Sequence, residues 1–167
     1  MIIRQATFED LTAIMYTTQQ AFKDEPMSDN KEHDLVAQIM QSSSYIPELS
    51  KVAEIDEVIV GHIMYSKVKI NHYDALAMAP LSVHPEYQNQ GIGTALMHNT
   101  LAEIPIATPI VILGHPSYYT KFGFIPASTY DIKPPFSVPD DVYMVRQSED
   151  VEKLKISGTV KYPEAFL

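Results

Sequence analysis

The chain has 167 residues, 46% of them hydrophobic and 20% charged, the make-up of a folded globular protein long enough to bury a real core. Twelve Lys and Arg against 21 Asp and Glu give a net charge of −9, which argues against nonspecific binding to nucleic acid or to an anionic membrane. The absence of cysteine excludes disulfides, thiolate nucleophiles, Cys-based zinc sites and iron–sulfur clusters together. No apolar run reaches the roughly 18 residues of a membrane span, and Met1 to Gln5 lacks the apolar core of a signal peptide, so a cytoplasmic protein is expected.

Ile2 and Ile3 open a short strand. Thr7 suits a helix N-cap, with Glu9 and Asp10 in the first turn where the helix dipole favours acids. Leu11, Ile14, Met15 and Phe22 carry a helical spacing that Pro26 ends. A second helix is predicted over 31–40, capped by Asp29 or Asn30, with Leu35, Val36, Ile39 and Met40 as its buried stripe. The period then changes. Residues 51–55 and 58–70 form a hairpin about the turn Asp56-Glu57, and Gly61 in the second strand marks a bulge or a close backbone approach. After a turn at 71–74, residues 75–83 form a central strand, although Pro80 cannot donate a ladder hydrogen bond.

A helix is predicted over 91–103, with Ile92, Ala95, Leu96 and Leu101 on one face and Pro105 as its limit. Ile110 to Leu113 suits a buried strand, and 117–122 a short helix with Gly123 just past its end. Prolines 126, 134, 135 and 139 break the chain after Gly123 into loops and short strands, and Tyr143 to Arg146 is the last strand. Residues 148–167 form a C-terminal extension docked by Tyr162, Phe166 and Leu167, which leaves 1–147 as the main domain. This order of elements implies an α/β chain with a mixed sheet and helices on both faces.

The chemistry concentrates between the central strand and the helix after it. Only six glycines occur in the chain, and Gly91 and Gly93 sit at that helix start. Backbone of this kind at a helix N-terminus points several N–H groups one way, and the helix dipole adds to their attraction for an anion such as a phosphate. A nucleoside-triphosphate loop would need a Gly-Lys pair, which is absent. A dinucleotide fingerprint would need a third glycine where Leu96 stands. Taken alone, the two glycines also fit an ordinary helix start.

The spacing Gln88-x-x-Gly91-x-Gly93 after Leu81-Ser82-Val83-His84-Pro85 resembles the acetyl-CoA pyrophosphate loop of the GNAT N-acetyltransferases. Downstream, Tyr119-x-x-x-Gly123-Phe124 within Tyr118 to Phe124 resembles that family's tyrosine signature. Ala53-Glu54 with Val60 to Ile63 resembles the family hairpin, and Leu113 to Pro116, Phe136 to Tyr143 and Gly158 to Pro163 are similar to one bacterial subgroup of predicted N-acetyltransferases.

The resemblance implies a largely antiparallel central sheet with splayed fourth and fifth strands. It implies pantetheine along Leu81, Ser82 and Val83, and pyrophosphate on the backbone of Gln88, Asn89, Gln90, Gly91, Ile92, Gly93 and Thr94. Asn89 and Gln90 depart from the family pattern, where glycine and a basic residue are common. Acetyl-CoA is the implied co-substrate and a primary amine the acceptor, and a homodimer is compatible with this reading. The implied reaction is direct attack of the amine on the thioester.

Tyr119 matches the tyrosine that protonates the departing sulfur, Tyr118 is assigned to the pocket wall, and the Val83 N–H matches the group that polarises the thioester carbonyl. His115 is the candidate base, acting through water; histidine ordinarily titrates near pH ~6.5. His84 is expected to face away, and Glu25 lies on the acceptor side. No metal-binding histidine pair and no serine-hydrolase elbow occurs. A noncatalytic CoA-binding module on the same fold is the alternative.

Overall fold

Local chemistry starts the first helix as expected. In the computed structural model, which describes residues 1–167, the Asp10 carboxylate accepts the Thr7 N–H at 2.8 Å. The same carboxylate takes two hydrogen bonds from the Arg4 guanidinium, at 2.7 and 2.8 Å, and is held at a pKa of about 2 by them. A 3-10 turn at Phe8–Asp10 then runs into α1 (Leu11–Phe22). The chain divides into two compact units, one of residues 1–65 and 79–104, the other of 66–78 and 105–167.

In the first unit β1 (Ile2–Gln5) pairs antiparallel with β2 (Lys51–Ile55), and β2 with β3 (Val58–Ile70). Ala53 faces Gly61 but Glu54 faces Ile59, so Val60 is the extra residue of a bulge. Gly61 is also a close approach: a Cβ there would meet Ile92 and Leu96 side-chain carbons at 3.0 and 3.2 Å. The expected bulge and the expected close approach thus occur side by side. Asp29 accepts the Lys31 N–H at 2.9 Å just before α2 (Glu32–Met40). The core of this unit gathers Ile14 of α1, Val36 and Ile39 of α2, Val52 and Ile63 of the hairpin, and Leu96 and Met97, all at 0% exposure. Each such side chain contributes roughly 1.5–3 kcal/mol on burial.

Strands β3 and β4 (Tyr73–Val83) run through both units. The turn between them is tighter than expected, and β4 starts at Tyr73 rather than at Ala75. The helix after it is α3 (Ile92–Leu101); Gly91 lies outside it as a left-handed cap. In the second unit β5 (Ile110–Leu113) is parallel to β4 through Leu76↔Ile110 and Ala77↔Val111. That ladder has no rung beyond Ala77, and Pro80, which has no N–H to give, comes after it. Next come α4 (Pro116–Tyr119), β6 (Phe124–Pro126) and β7 (Ile132–Lys133). They are followed by β8 (Tyr143–Arg146), α5 (Glu149–Lys153) and β9 (Gly158–Lys161). β8 is antiparallel to both β5 and β6, while β9 is antiparallel to β3 and parallel to β7. The sheet is therefore mixed and largely antiparallel.

The tail enters the core of the second unit. Val151, Ile156 and Val160 are buried in one cluster with Val68, Ile70, Val111, Ile132 and Val145. Tyr162 packs at a tilt against Phe136 and Phe166, at 5.7 and 5.0 Å between ring centres, and its hydroxyl lies 2.7 Å from that of Tyr143. Leu167, expected to dock, is 81% exposed. No helix is long and apolar enough to cross a membrane.

Candidate active site

The glycine loop is built within the first unit. Gly91 adopts φ +82 and Asn89 φ +62, both left-handed. Asparagine is the residue that best tolerates this region after glycine, which suits Asn89 to its position. A Cβ on Gly91 would meet nothing within 4 Å, which leaves open space on that side of the loop. Gln88, Asn89 and Gln90 are exposed, and Ile92 is the first buried residue. The Gly91 carbonyl accepts the Ala95 N–H at 3.0 Å, so the helix ladder starts there. Backbone N–H groups at a helix start suit an anion with several oxygens without the help of a lysine.

Two contacts tie the loop to the sheet. The Gln88 side-chain amide donates to the Val83 carbonyl at 3.0 Å, and the His84 N–H donates to the Val60 carbonyl at 2.9 Å. The first was missed in the sequence, where Gln88 counted only for its backbone. Ser82 is buried, its hydroxyl 3.3 Å from that of Thr18, while Leu81 and Val83 are half-buried on either side of it. His84 Nδ1 accepts the Glu86 N–H at 3.2 Å, and its ring lies 5.9 Å from Tyr16 and 6.1 Å from Tyr87. It is a wall of the groove beneath α1, which Tyr16, Ile59 and Glu86 also line.

The tyrosine segment is built within the second unit. His115 precedes α4 and its carbonyl accepts the N–H groups of Tyr118 and Tyr119, at 3.0 and 3.2 Å. The segment ends at Gly123, whose φ of +88 is the left-handed cap that the sequence implied. Tyr119 is half-buried, edge-on to Tyr118 at 5.0 Å and to Phe124 at 6.2 Å. Tyr118 meets Phe122 edge-on at 5.4 Å and carries the Lys121 ammonium 4.1 Å over its ring. His115 is exposed just ahead of α4. The twelve residues singled out thus fall into two groups: the ten from Leu81 to Thr94 lie together in one unit, and Tyr119 lies with His115 in the other. Glu25 is half-buried in the turn after α1, where its N–H donates to the Phe22 carbonyl at 3.1 Å.

Residues 47–126, which span both motifs, match the acetyltransferase (GNAT) domain. The chain is 30% identical over 141 residues to YjhQ of Escherichia coli, named an uncharacterized N-acetyltransferase, in a match that covers 79% of this chain and 78% of that protein. The crystal structure of the GNAT family N-acetyltransferase YhbS from Escherichia coli in complex with CoA superposes with a TM-score of 0.86 at 25% identity. That match covers 99% of this chain and 91% of the other. A GNAT family acetyltransferase from Brucella melitensis, in complex with acetyl-CoA, does so with a TM-score of 0.79 at 28% identity over 99% and 97%. Loop, tyrosine signature, fold and relatives agree: the chain belongs to the GNAT family of acetyltransferases.

Proposed function

We propose that the protein transfers the acetyl group of acetyl-CoA directly to a primary amine. The observation that carries the reading is the loop from Gln88 to Thr94, left-handed at Asn89 and Gly91 and open above Gly91. The CoA and acetyl-CoA complexes of the two structural relatives support the same ligand. In this reading the pyrophosphate takes the backbone N–H groups of residues 88–94, and Leu81 to Val83 hold the pantetheine arm. Residues 1–147 form the catalytic domain and 148–167 its extension.

The amine nitrogen attacks the acetyl carbonyl carbon as the Val83 N–H draws charge onto the carbonyl oxygen. The tetrahedral intermediate collapses, the C–S bond breaks, and the sulfur takes a proton from the Tyr119 hydroxyl. The proton lost by nitrogen passes through water to His115 and, by way of solvent, restores Tyr119. One amine and one thioester give one amide and one thiol.

Calorimetric titration tests the ligand. Acetyl-CoA binds, and NAD and ATP bind far more weakly, because the glycine and lysine that each would need are absent. Comparable affinity for NAD would overturn the reading.

A further inference from the structure

Gly114 carries no backbone demand for glycine. The glycines with left-handed φ are Gly91, Gly123 and Gly158, and Gly114 is not among them. Its missing side chain matters for another reason: a Cβ on Gly114 would lie 2.3 Å from Cε2 of Tyr119, 3.0 Å from Cδ2 and 3.4 Å from Cζ. The Tyr119 ring therefore lies directly over the Gly114 backbone, in the volume that any other residue would fill.

Both ends of the segment are strapped to the strand beside it. The Gly114 N–H donates to the Val142 carbonyl at 2.9 Å, just before β8, and the Gly123 carbonyl accepts the Gln147 N–H at 2.9 Å, just after it. With the backbone held at both ends, a methyl group at 114 displaces the ring rather than the chain. Tyr118 and Phe124 close two further sides, so the ring sits in a slot with Gly114 as its floor.

We infer that Gly114 is a positioning residue for the acyl transfer, and that its bare Cα sets where the Tyr119 hydroxyl is presented. This rests on the reading of Tyr119 as proton donor. Ordinary carbon contacts are about 3.5–4.0 Å, so a 2.3 Å approach moves the ring by on the order of 1 Å or more. A misplacement of that size in a reacting group costs about 100-fold in rate.

The test uses the full chain with acetyl-CoA and whichever member of a primary-amine panel is turned over best, with free thiol as readout. Tyr119→Phe, Gly114→Ala, Tyr119→Ala and the double variant Gly114→Ala/Tyr119→Ala are compared. Ring-labelled tyrosine gives an NMR signal for Tyr119, identified by its loss in Tyr119→Phe.

In Gly114→Ala the Tyr119 ring signal moves, kcat falls about 100-fold, and KM for acetyl-CoA stays within about twofold. Adding Gly114→Ala to Tyr119→Ala changes neither rate nor melting temperature, because without the ring the methyl group has room. A slow Tyr119→Phe beside a Gly114→Ala of wild-type kcat overturns the positioning role alone. So does a ring signal that does not move, or a loss that persists in the Tyr119→Ala background. Wild-type kcat in Tyr119→Phe overturns the proton-donor reading itself, and the inference falls with it.

Discussion

A methyl group on Gly61 would lie 3.0 Å from Cγ2 of Ile92, so β3 and the first turn of α3 meet with no room for a side chain between them. Leu96 Cδ1, one turn further along α3, and the Ser82 carbonyl of β4 close the same space at 3.2 and 3.4 Å. The helix that follows the glycine loop is thus seated on a strand that takes no part in the loop itself.

Gly61→Val should therefore act on two quantities. Overpacking costs about 1–3 kcal/mol, read as a lower denaturant midpoint. The first turn of α3 is pushed outward, and acetyl-CoA affinity falls about tenfold or more. Gly61→Ala should do both to a smaller degree. Wild-type affinity in a folded Gly61→Val would show that this contact does not position the loop.

Gly91→Gln should abolish the rise in melting temperature that acetyl-CoA gives by mass action on the folded state. The side chain would enter the space that is open above Gly91, and the φ of +82 adds strain for any residue with a Cβ. A thermal melt with and without acetyl-CoA checks it. A full ligand shift in the variant would place the pyrophosphate elsewhere.

His62 makes stability depend on pH. It is fully buried, with Nε2 3.2 Å from the Ser50 hydroxyl and Nδ1 without a partner. Burial pushes its pKa from 6.5 down to about 3, against a smaller opposing pull from Asp10. Between those values the unfolded chain binds the proton and the folded chain does not. The stability is complete above pH ~6.5 and falls as pH drops, by up to about 1.4 kcal/mol per pH unit. Asp10, held at about 2 by Arg4, loses its contribution in a lower window, as pH falls from 3.8 towards 2. Urea unfolding at about pH 7, 6 and 5 should show the first decline, and His62→Gln should flatten it. Equal stability of the wild type at all three would contradict the account.

The two motifs were legible because each is a local backbone requirement written in residue types. Gly91 and Gly123 stand at left-handed positions, and Asn89 takes a third. The hairpin turn Asp56-Glu57 and the break at Gly61 were legible for the same reason. Strands of two or three residues such as β7 and β6 were not, since a period cannot be read over so few positions, and β9 has no apolar run to mark it. The docking of Val160 depends on Ile70 and Ile132, partners far away in sequence. The roles of Gly114 and of the Gln88 side chain were hidden as well, because an absent Cβ and an amide reaching back to Val83 become visible only once the chain is folded.

Acetyl transfer from acetyl-CoA to an amine can be followed at both of its products. The most direct measurement incubates the protein with acetyl-CoA and a panel of primary amines, following free thiol by colour and acetylated amine by mass spectrometry. The account predicts thiol and N-acetylated product in equal amounts with at least one amine, and a rate about 100- to 10,000-fold lower in Tyr119→Phe at unchanged acetyl-CoA affinity. Tight acetyl-CoA binding with no amide formed from any amine would contradict it, and would leave a CoA-binding module in place of an enzyme.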